Sequence, residues 1–353
     1  MTAPPPIAHG PPTLARLDAA TATPAFVQAL RVGAVLAPAD VGVITLVGPG
    51  AVDCVQGLLT SDLEKSGDGG FVYGALLTPK GMVIVDGWAA RQGAEVRFTT
   101  PAPADALGLF TRTVPPRLAR VADRSADYTV LRLAGLRALA IAEAARLPVP
   151  TAPGRTISIE LDGIDVEVAR ASEGAPFVLQ LTLAPSATPA LKDRLGRAGA
   201  LGTNAAALEL ARVLAGWPGL SSEVDEKTIP QEVRFDEIGG VSYTKGCYTG
   251  QETVSRLHFR GHANRQLRGI EFDTEPSTFG EAPPLVVHQD REVGRVSSVV
   301  WLPESGPGAP LVGRWVGLAV LRREVTSGTM VRAAGVDARV VELPFPLPRL
   351  EPA

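Results

Sequence analysis

The sequence predicts an α+β protein: two units of the ferredoxin-like, split βαβ type followed by a small C-terminal β-barrel. Three observations carry that prediction. A strand, a helix, further strands and a second helix occur in that order twice, with no residue-level repeat. From residue 265 onward, short β-rich runs follow one another between Pro/Gly turns without a helical stretch. A chain of 353 residues that is 45% hydrophobic and 20% charged also holds enough apolar material for more than one core.

Taken in order, residues 1–30 (opening MTAPPPIAHGPPTLARL) read as a disordered, Pro-rich lead without the apolar core of a signal peptide. The first α+β unit spans 31–125. Its apolar run at 41–47 is a buried strand stopped by Gly48-Pro49-Gly50. Val52, Val55, Leu58 and Leu59 then recur at helical spacing, predicting a helix over 51–59 in which Cys54 serves as a small hydrophobe. Phe71–Leu77 and 82–88 form a hairpin through Thr78-Pro79-Lys80-Gly81, with Pro and Gly where a turn needs them. A strand at Glu95–Thr100 and a helix at 103–112 complete the unit.

The second unit, 126–264, runs through a strand at 128–133, a helix at 136–146, and a hairpin of 156–161 and Ile164–Arg170 turned at Asp162-Gly163. A strand at 177–181 and a helix around Leu191 follow. Asn204 caps a further helix that carries Leu208, Ala211 and Ala215 on one face and ends at Gly216 and Pro218. The barrel, 265–353, is assembled from runs at 269–272, Leu285–His288, 293–301, 315–320 and 338–342.

Composition narrows the function. A formal net charge of −3 excludes a polyanion binder over the whole surface and leaves room only for a local basic patch. Two cysteines, Cys54 and Cys247, exclude a disulfide framework and any site needing three or four thiolates from this chain, and suggest a reducing compartment. No apolar run reaches the roughly 20 residues of a membrane span. A cytoplasmic protein without a membrane partner is the expectation.

The segment YTKGCYTGQE at 243–252 holds the residues with chemistry. Cys247 stands between glycines, with Lys245 two residues before it and Arg256 and Arg260 not far beyond, and cations favour a thiolate. Gln251 and Glu252 add an amide and a carboxylate. A tight turn whose cysteine merely packs stays open as the alternative. The phosphate-loop pattern fails here because Lys245 and Gly246 stand in reverse order. His258 and His262 are four apart, but no third ligand has suitable spacing, so no metal site is assigned. Residues 253–268 carry Arg256, Arg260, Arg265 and Arg268 and no acid, which fits either phosphate or carboxylate binding or a solvated basic strand.

Lys245-Gly246-Cys247-Tyr248-Thr249-Gly250-Gln251-Glu252 resembles the K-G-C-[YF]-x-G-Q-E signature of YgfZ-type folate-binding proteins, relatives of the glycine cleavage T-protein (aminomethyltransferase). Gln56-Gly57-Leu58-Leu59-Thr60-Ser61-Asp62, Leu77-Thr78-Pro79-Lys80-Gly81 and the Arg212, Gly216, Pro218 spacing resemble further segments of that family, so the likeness covers about 41–268. The resemblance implies a three-domain ring whose first two domains interweave, with tetrahydrofolate in its central hole, and support of iron–sulfur cluster assembly or repair in client enzymes. It implies Cys247 as the reactive thiol with Lys245 favouring its thiolate, and Tyr248, Gln251 and Glu252 as the folate-facing wall. Arg256 or Arg260 would receive the glutamyl tail. Two departures count against glycine-cleavage chemistry. The catalytic Asp of T-proteins is matched by 83–85 with Asp86 just beyond, and the glutamate that contacts the pterin is matched at best by 173–177, where Phe177 stands. The rival readings are a folate-dependent one-carbon transferase using Asp86, and an RNA-binding accessory in tRNA modification, which the near-neutral charge and few aromatics disfavour.

Overall fold

The computed structural model describes residues 14–347 except 19, 22, 278–281, 307–309 and 311. Its architecture is the predicted mixture of α+β sheets and a closed barrel. Five antiparallel strands in the order Phe71–Leu77, Val83–Gln92, Glu95–Thr100, Gly42–Val47, Arg120–Asp123 form one sheet. The helices Ala51–Gln56 and Pro103–Thr113 supply Val55 and Phe110 to the core on this sheet, with Ile44, Leu46, Leu59 and Phe98. A six-stranded sheet runs Leu201–Gly202, Val35–Pro38, Thr129–Ala134, Leu179–Leu183, Ile164–Arg170, Arg155–Leu161. Leu131, Leu133, Leu181, Leu191 and Leu195 are prominent in its core.

The strand Val35–Pro38 crosses the boundary expected at 125/126. It pairs antiparallel with Thr129–Ala134, placing Leu36 opposite Leu133, so a segment of the first stretch belongs to the sheet of the second. The chain also returns: Val83 N–H donates to Thr228 (2.8 Å) and Ser242 N–H to Thr60 (2.9 Å). Neither 31–125 nor 126–264 is self-contained, because each sheet needs backbone partners from the other stretch.

Part of the stretch expected as a lead, 1–30, is regular structure. Residues 1–13 lie outside the described residues, but Ala15–Leu17 is a strand parallel to Arg291–Pro303, and Pro24–Val32 is a helix. Pro24 stands in the helix's first turn, where no N–H is missed, and Val27 and Leu30 face inward at a three-residue spacing. The Pro-rich composition around them masked that periodicity.

The barrel closes through Arg291–Pro303, Leu285–His288, Met330–Ala333, Val336–Val341, Arg265–Phe272 and Gly313–Arg322, the last strand pairing with the first. Its joint with the rest is a largely buried ionic cluster. Arg212, on the helix Ala205–Ala215, donates to Glu223 (2.7 Å), to both oxygens of Glu209 (2.6 and 2.7 Å), to Ser298 Oγ of the barrel (2.7 Å) and to the Trp217 carbonyl (2.6 Å). Glu223 in turn accepts from Gly219 N–H, Ser222 Oγ and Ser298 Oγ. Burial alone would raise the Glu223 carboxyl, but Arg212 and the hydroxyls more than offset it and hold it below the ordinary value. Glu223→Ala leaves the guanidinium buried beside a lost partner and should destabilise the protein by about 3–5 kcal/mol in chemical denaturation. The depressed carboxyl fixes the sign with pH. Its contribution is full above the ordinary carboxylate range and is lost as pH falls through the lower folded value, so acid should narrow the gap between wild type and variant.

Candidate functional site

The loop at 243–250 is pinned by contacts with the segment 56–62 and the hairpin turn 78–81. Gly250 adopts φ +82°, and a Cβ there would lie 2.6 Å from the Thr78 carbonyl oxygen, so both conformation and space demand glycine. Thr249 N–H donates to Gly57 (3.1 Å). Lys245 Nζ donates to the carbonyls of Gln56 (2.6 Å), Leu59 (2.6 Å) and Ser61 (2.9 Å), covering the C-terminal end of the helix Ala51–Gln56. The segment 56–62 is organised for this. Gln56 donates to Asp62 (2.9 Å) and accepts from Leu63 N–H (2.9 Å), while Thr60 donates to the Gly240 carbonyl (2.5 Å) and accepts from Ala75 N–H (2.8 Å).

That arrangement reassigns Lys245. All three of its N–H groups are committed to backbone carbonyls, so it does not donate to Cys247; it is a clamp. Burial pulls its pKa down to about 8, with Asp62 and Glu64 acting in the opposite direction. Cys247 is exposed. Tyr248 is buried with Lys245 Nζ 5.1 Å from its ring centre, and its hydroxyl has no hydrogen-bond partner; burial pushes its pKa up to about 12.

The expected basic strand after the loop is in its first half a helix, Gln251–Arg260. Gly250 in the left-handed conformation starts it, and Glu252 in its first turn and His258 and Arg260 in its last complement the helix dipole. Val254 is buried beneath it; Glu252, Arg256 and Arg260 are exposed and Gln251 is half-buried. His262 lies beyond its end, so the two histidines share no helical face; His258 instead stacks on Tyr243 at 3.6 Å. Among the described residues, no group of three or more His, Cys, Asp or Glu is arranged to hold a metal ion.

A cavity with an aromatic lining lies elsewhere. About 390 Å³ in volume, it is lined by Tyr73, Asp86 and Trp88 from the five-stranded sheet, Arg132 from the six-stranded sheet, Phe177, and Leu208, Arg212 and Trp217 from the helix Ala205–Ala215 and the turn after it. That volume is in the range of small-molecule sites, about 300–1,000 Å³. Its wall is an aromatic cluster: Trp88 stacks at 6.0 Å on Trp217 and meets Phe177 edge-on at 5.1 Å, while Tyr73 packs on both tryptophans. Tyr73 donates its hydroxyl to Asp86 Oδ2, and Asp86 Oδ1 is buried with no hydrogen-bond partner among the described residues. Burial drives the Asp86 carboxyl above its ordinary value, the Tyr73 bond acting against that rise, and the Tyr73 hydroxyl is pushed well above its own.

None of Lys245, Cys247, Tyr248, Gln251, Glu252, Arg256 or Arg260 lines this cavity. Trp88, Arg132 and Trp217 escaped the sequence reading. One signal was available: in VIVDGWAA an aspartate stands two residues from a tryptophan on one face of a strand that is otherwise apolar, and a buried carboxylate is the informative exception there.

The sequence pattern of the GCVT N-terminal domain matches residues 27–238. An aminomethyltransferase of Rubrobacter xylanophilus is 28% identical over 319 residues, 86% of this chain and 80% of its own length. The tRNA-modifying protein YgfZ of Cronobacter sakazakii is 26% identical over 304 residues, 83% of this chain and 86% of its own. The crystal structure of the glycine cleavage system aminomethyltransferase T from Bartonella henselae superimposes with a TM-score of 0.74 at 18% identity, covering 92% of this chain and 90% of that one, which establishes the shared fold.

The clamp and the thiol should separate in a stability measurement. Lys245→Met orphans three carbonyls and should cost about 2–4 kcal/mol in denaturant unfolding. Cys247→Ser, at an exposed position, should stay within about 0.5 kcal/mol of wild type.

Proposed function

Because this chain belongs to the family of the GCVT N-terminal domain, as a YgfZ-type relative of the aminomethyltransferases, we propose that it binds tetrahydrofolate in the Asp86 cavity and supports iron–sulfur client enzymes through Cys247. The single observation that carries the folate part is Asp86 Oδ1, a buried acceptor without a donor among the described residues, set in an aromatic wall. A buried polar atom left without a partner costs the fold about 1–3 kcal/mol, so a ligand that donates to it gains what the fold forgoes. A pterin offers amino and ring N–H donors together with flat apolar faces, and it fits such a site. When bound, tetrahydrofolate supplies a carrier of one-carbon units.

The chain's own residues do the rest. Asp86 accepts, Tyr73 fixes the carboxyl's orientation by donating to its other oxygen, and Trp88, Phe177 and Trp217 exclude water. Gln251, Glu252, Arg256 and Arg260 belong to a second face, headed by the exposed Cys247 and built on the helix Gln251–Arg260. That face suits a macromolecular client better than the ring of a small molecule. One cysteine cannot hold a cluster, so the client supplies the remaining ligands and the cluster is cargo.

A transferase reading is favoured by one observation: Asp86, just beyond 83–85 on the hairpin strand, lines the cavity, with its pKa raised. One-carbon product formed from a methylamine donor and lost in Asp86→Asn would support it.

The test is equilibrium binding of tetrahydrofolate under reducing conditions. Wild type and Cys247→Ser should bind alike, while Asp86→Asn should bind about 10- to 100-fold more weakly, the range for a charge-assisted hydrogen bond. Client activation in cells should be lost in Cys247→Ala and kept by wild type. Absence of saturable binding by wild type removes the folate reading; wild-type client activation by Cys247→Ala removes the thiol.

A further inference from the structure

The cavity holds a second polar group that the reading above leaves without work. Arg132 lines it from the six-stranded sheet, on a strand otherwise composed of apolar residues and one threonine. Its guanidinium forms no ion pair among the described residues. Nε and Nη2 both donate to one oxygen, Gln180 Oε1, at 3.2 and 3.1 Å, and the group lies 4.2 Å from the centre of the Phe177 ring. Nη1 has no hydrogen-bond partner among the described residues.

The side chain is nevertheless held in place. The Trp88 carbonyl accepts from Thr99 Oγ1 (3.3 Å), Thr99 Oγ1 accepts from Gln180 Nε2 (3.2 Å), and this fixes the Gln180 amide with its oxygen toward Arg132. A chain of hydrogen bonds across two sheets therefore aims one cation at the cavity wall. Burial lowers the Arg132 pKa to about 10, with Asp86 and Tyr73 acting to raise it, so it stays charged at neutral pH. Arg132 is half-buried, stacks on Phe177 and feels the Asp86 carboxyl without an ion pair to it, so Nη1 keeps a donor that a ligand in the cavity can use.

We infer that Arg132 is a specificity-determining residue that donates to a ring oxo group, so that the cavity takes an oxo-pteridine and rejects the analogue carrying an amino group there. The inference rests on the folate reading and adds a requirement to it. Asp86 demands a ligand edge with N–H donors, and Arg132 demands an acceptor on the same ring. An amino group in place of the oxygen would set N–H against N–H beside a fixed cation; it also turns the neighbouring ring N–H into an acceptor, so the share of Arg132 is read from the change in preference when Arg132 is replaced. A site built to hydrogen-bond one group discriminates strongly against the analogue that lacks it.

The experiment titrates the full chain with tetrahydrofolate and with 4-amino-4-deoxytetrahydrofolate, in wild type, Arg132→Met and Arg132→Lys. Wild type should prefer the oxo compound by at least about tenfold, as expected of a charge-assisted hydrogen bond. Arg132→Met should shrink that preference by about fivefold or more, chiefly by weakening the oxo compound, and Arg132→Lys should shrink it less. Equal binding of both compounds by wild type, or an unchanged ratio in Arg132→Met, overturns the assignment while leaving the folate reading standing. Binding of neither compound by wild type overturns both. Should Arg132→Met fail to fold, the wild-type ratio and Arg132→Lys still decide.

Discussion

The buried cluster of Arg212, Glu223 and Ser298 is the constraint on which the rest of this structure depends. It ties the helix Ala205–Ala215, the turn after it and the barrel strand Arg291–Pro303 to one another. A buried ion pair is seldom retained for stability alone, because well-packed apolar groups of similar size often do as well. Here the cluster has a second consequence: Arg212 and Glu209 line the cavity. The joint that assembles the parts also sets the position of Trp217, whose carbonyl accepts from Arg212, and so one aromatic wall of the cavity.

Around that joint the molecule keeps the Cys247 loop and the Asp86 cavity apart in space. One face carries the loop of Cys247, and its stiffness comes from Lys245, Gly250 and the segment 56–62 gripping one another. The cavity carries Asp86 and Arg132, charged or chargeable groups drawn from two different sheets and left short of partners. Natural sequences satisfy their buried polar groups almost everywhere, and departures cluster where a ligand completes them. Within the motif Lys245 and Gly250 hold the loop in place, while the buried groups short of partners sit on plain strands.

The sequence showed the order of elements, the β-rich tail and the loop, because each rests on a local signal: helical spacing, turn residues, a glycine pair. The strand Val35–Pro38 could not be read that way, since only its pairing with Leu131 and its neighbours makes it a strand of that sheet. The place of the Lys245 side chain is hidden from sequence for a related reason. Two residues of separation in an irregular loop do not fix where a side chain points, and the carbonyls of residues 56–61 decide it. Trp88, Arg132, Phe177 and Trp217 come from separated parts of the chain, so no window of sequence contains the cavity. Asp86 alone left a trace, as the single carboxylate in an apolar strand.

The most direct test of this account is a crystal structure of the protein with tetrahydrofolate bound. The account predicts the pterin ring inside the Trp88, Phe177 and Trp217 wall, with its N–H groups on Asp86 and its oxo group on Arg132. A pterin seated on the helix Gln251–Arg260 beside Cys247, with the cavity unused, would contradict it.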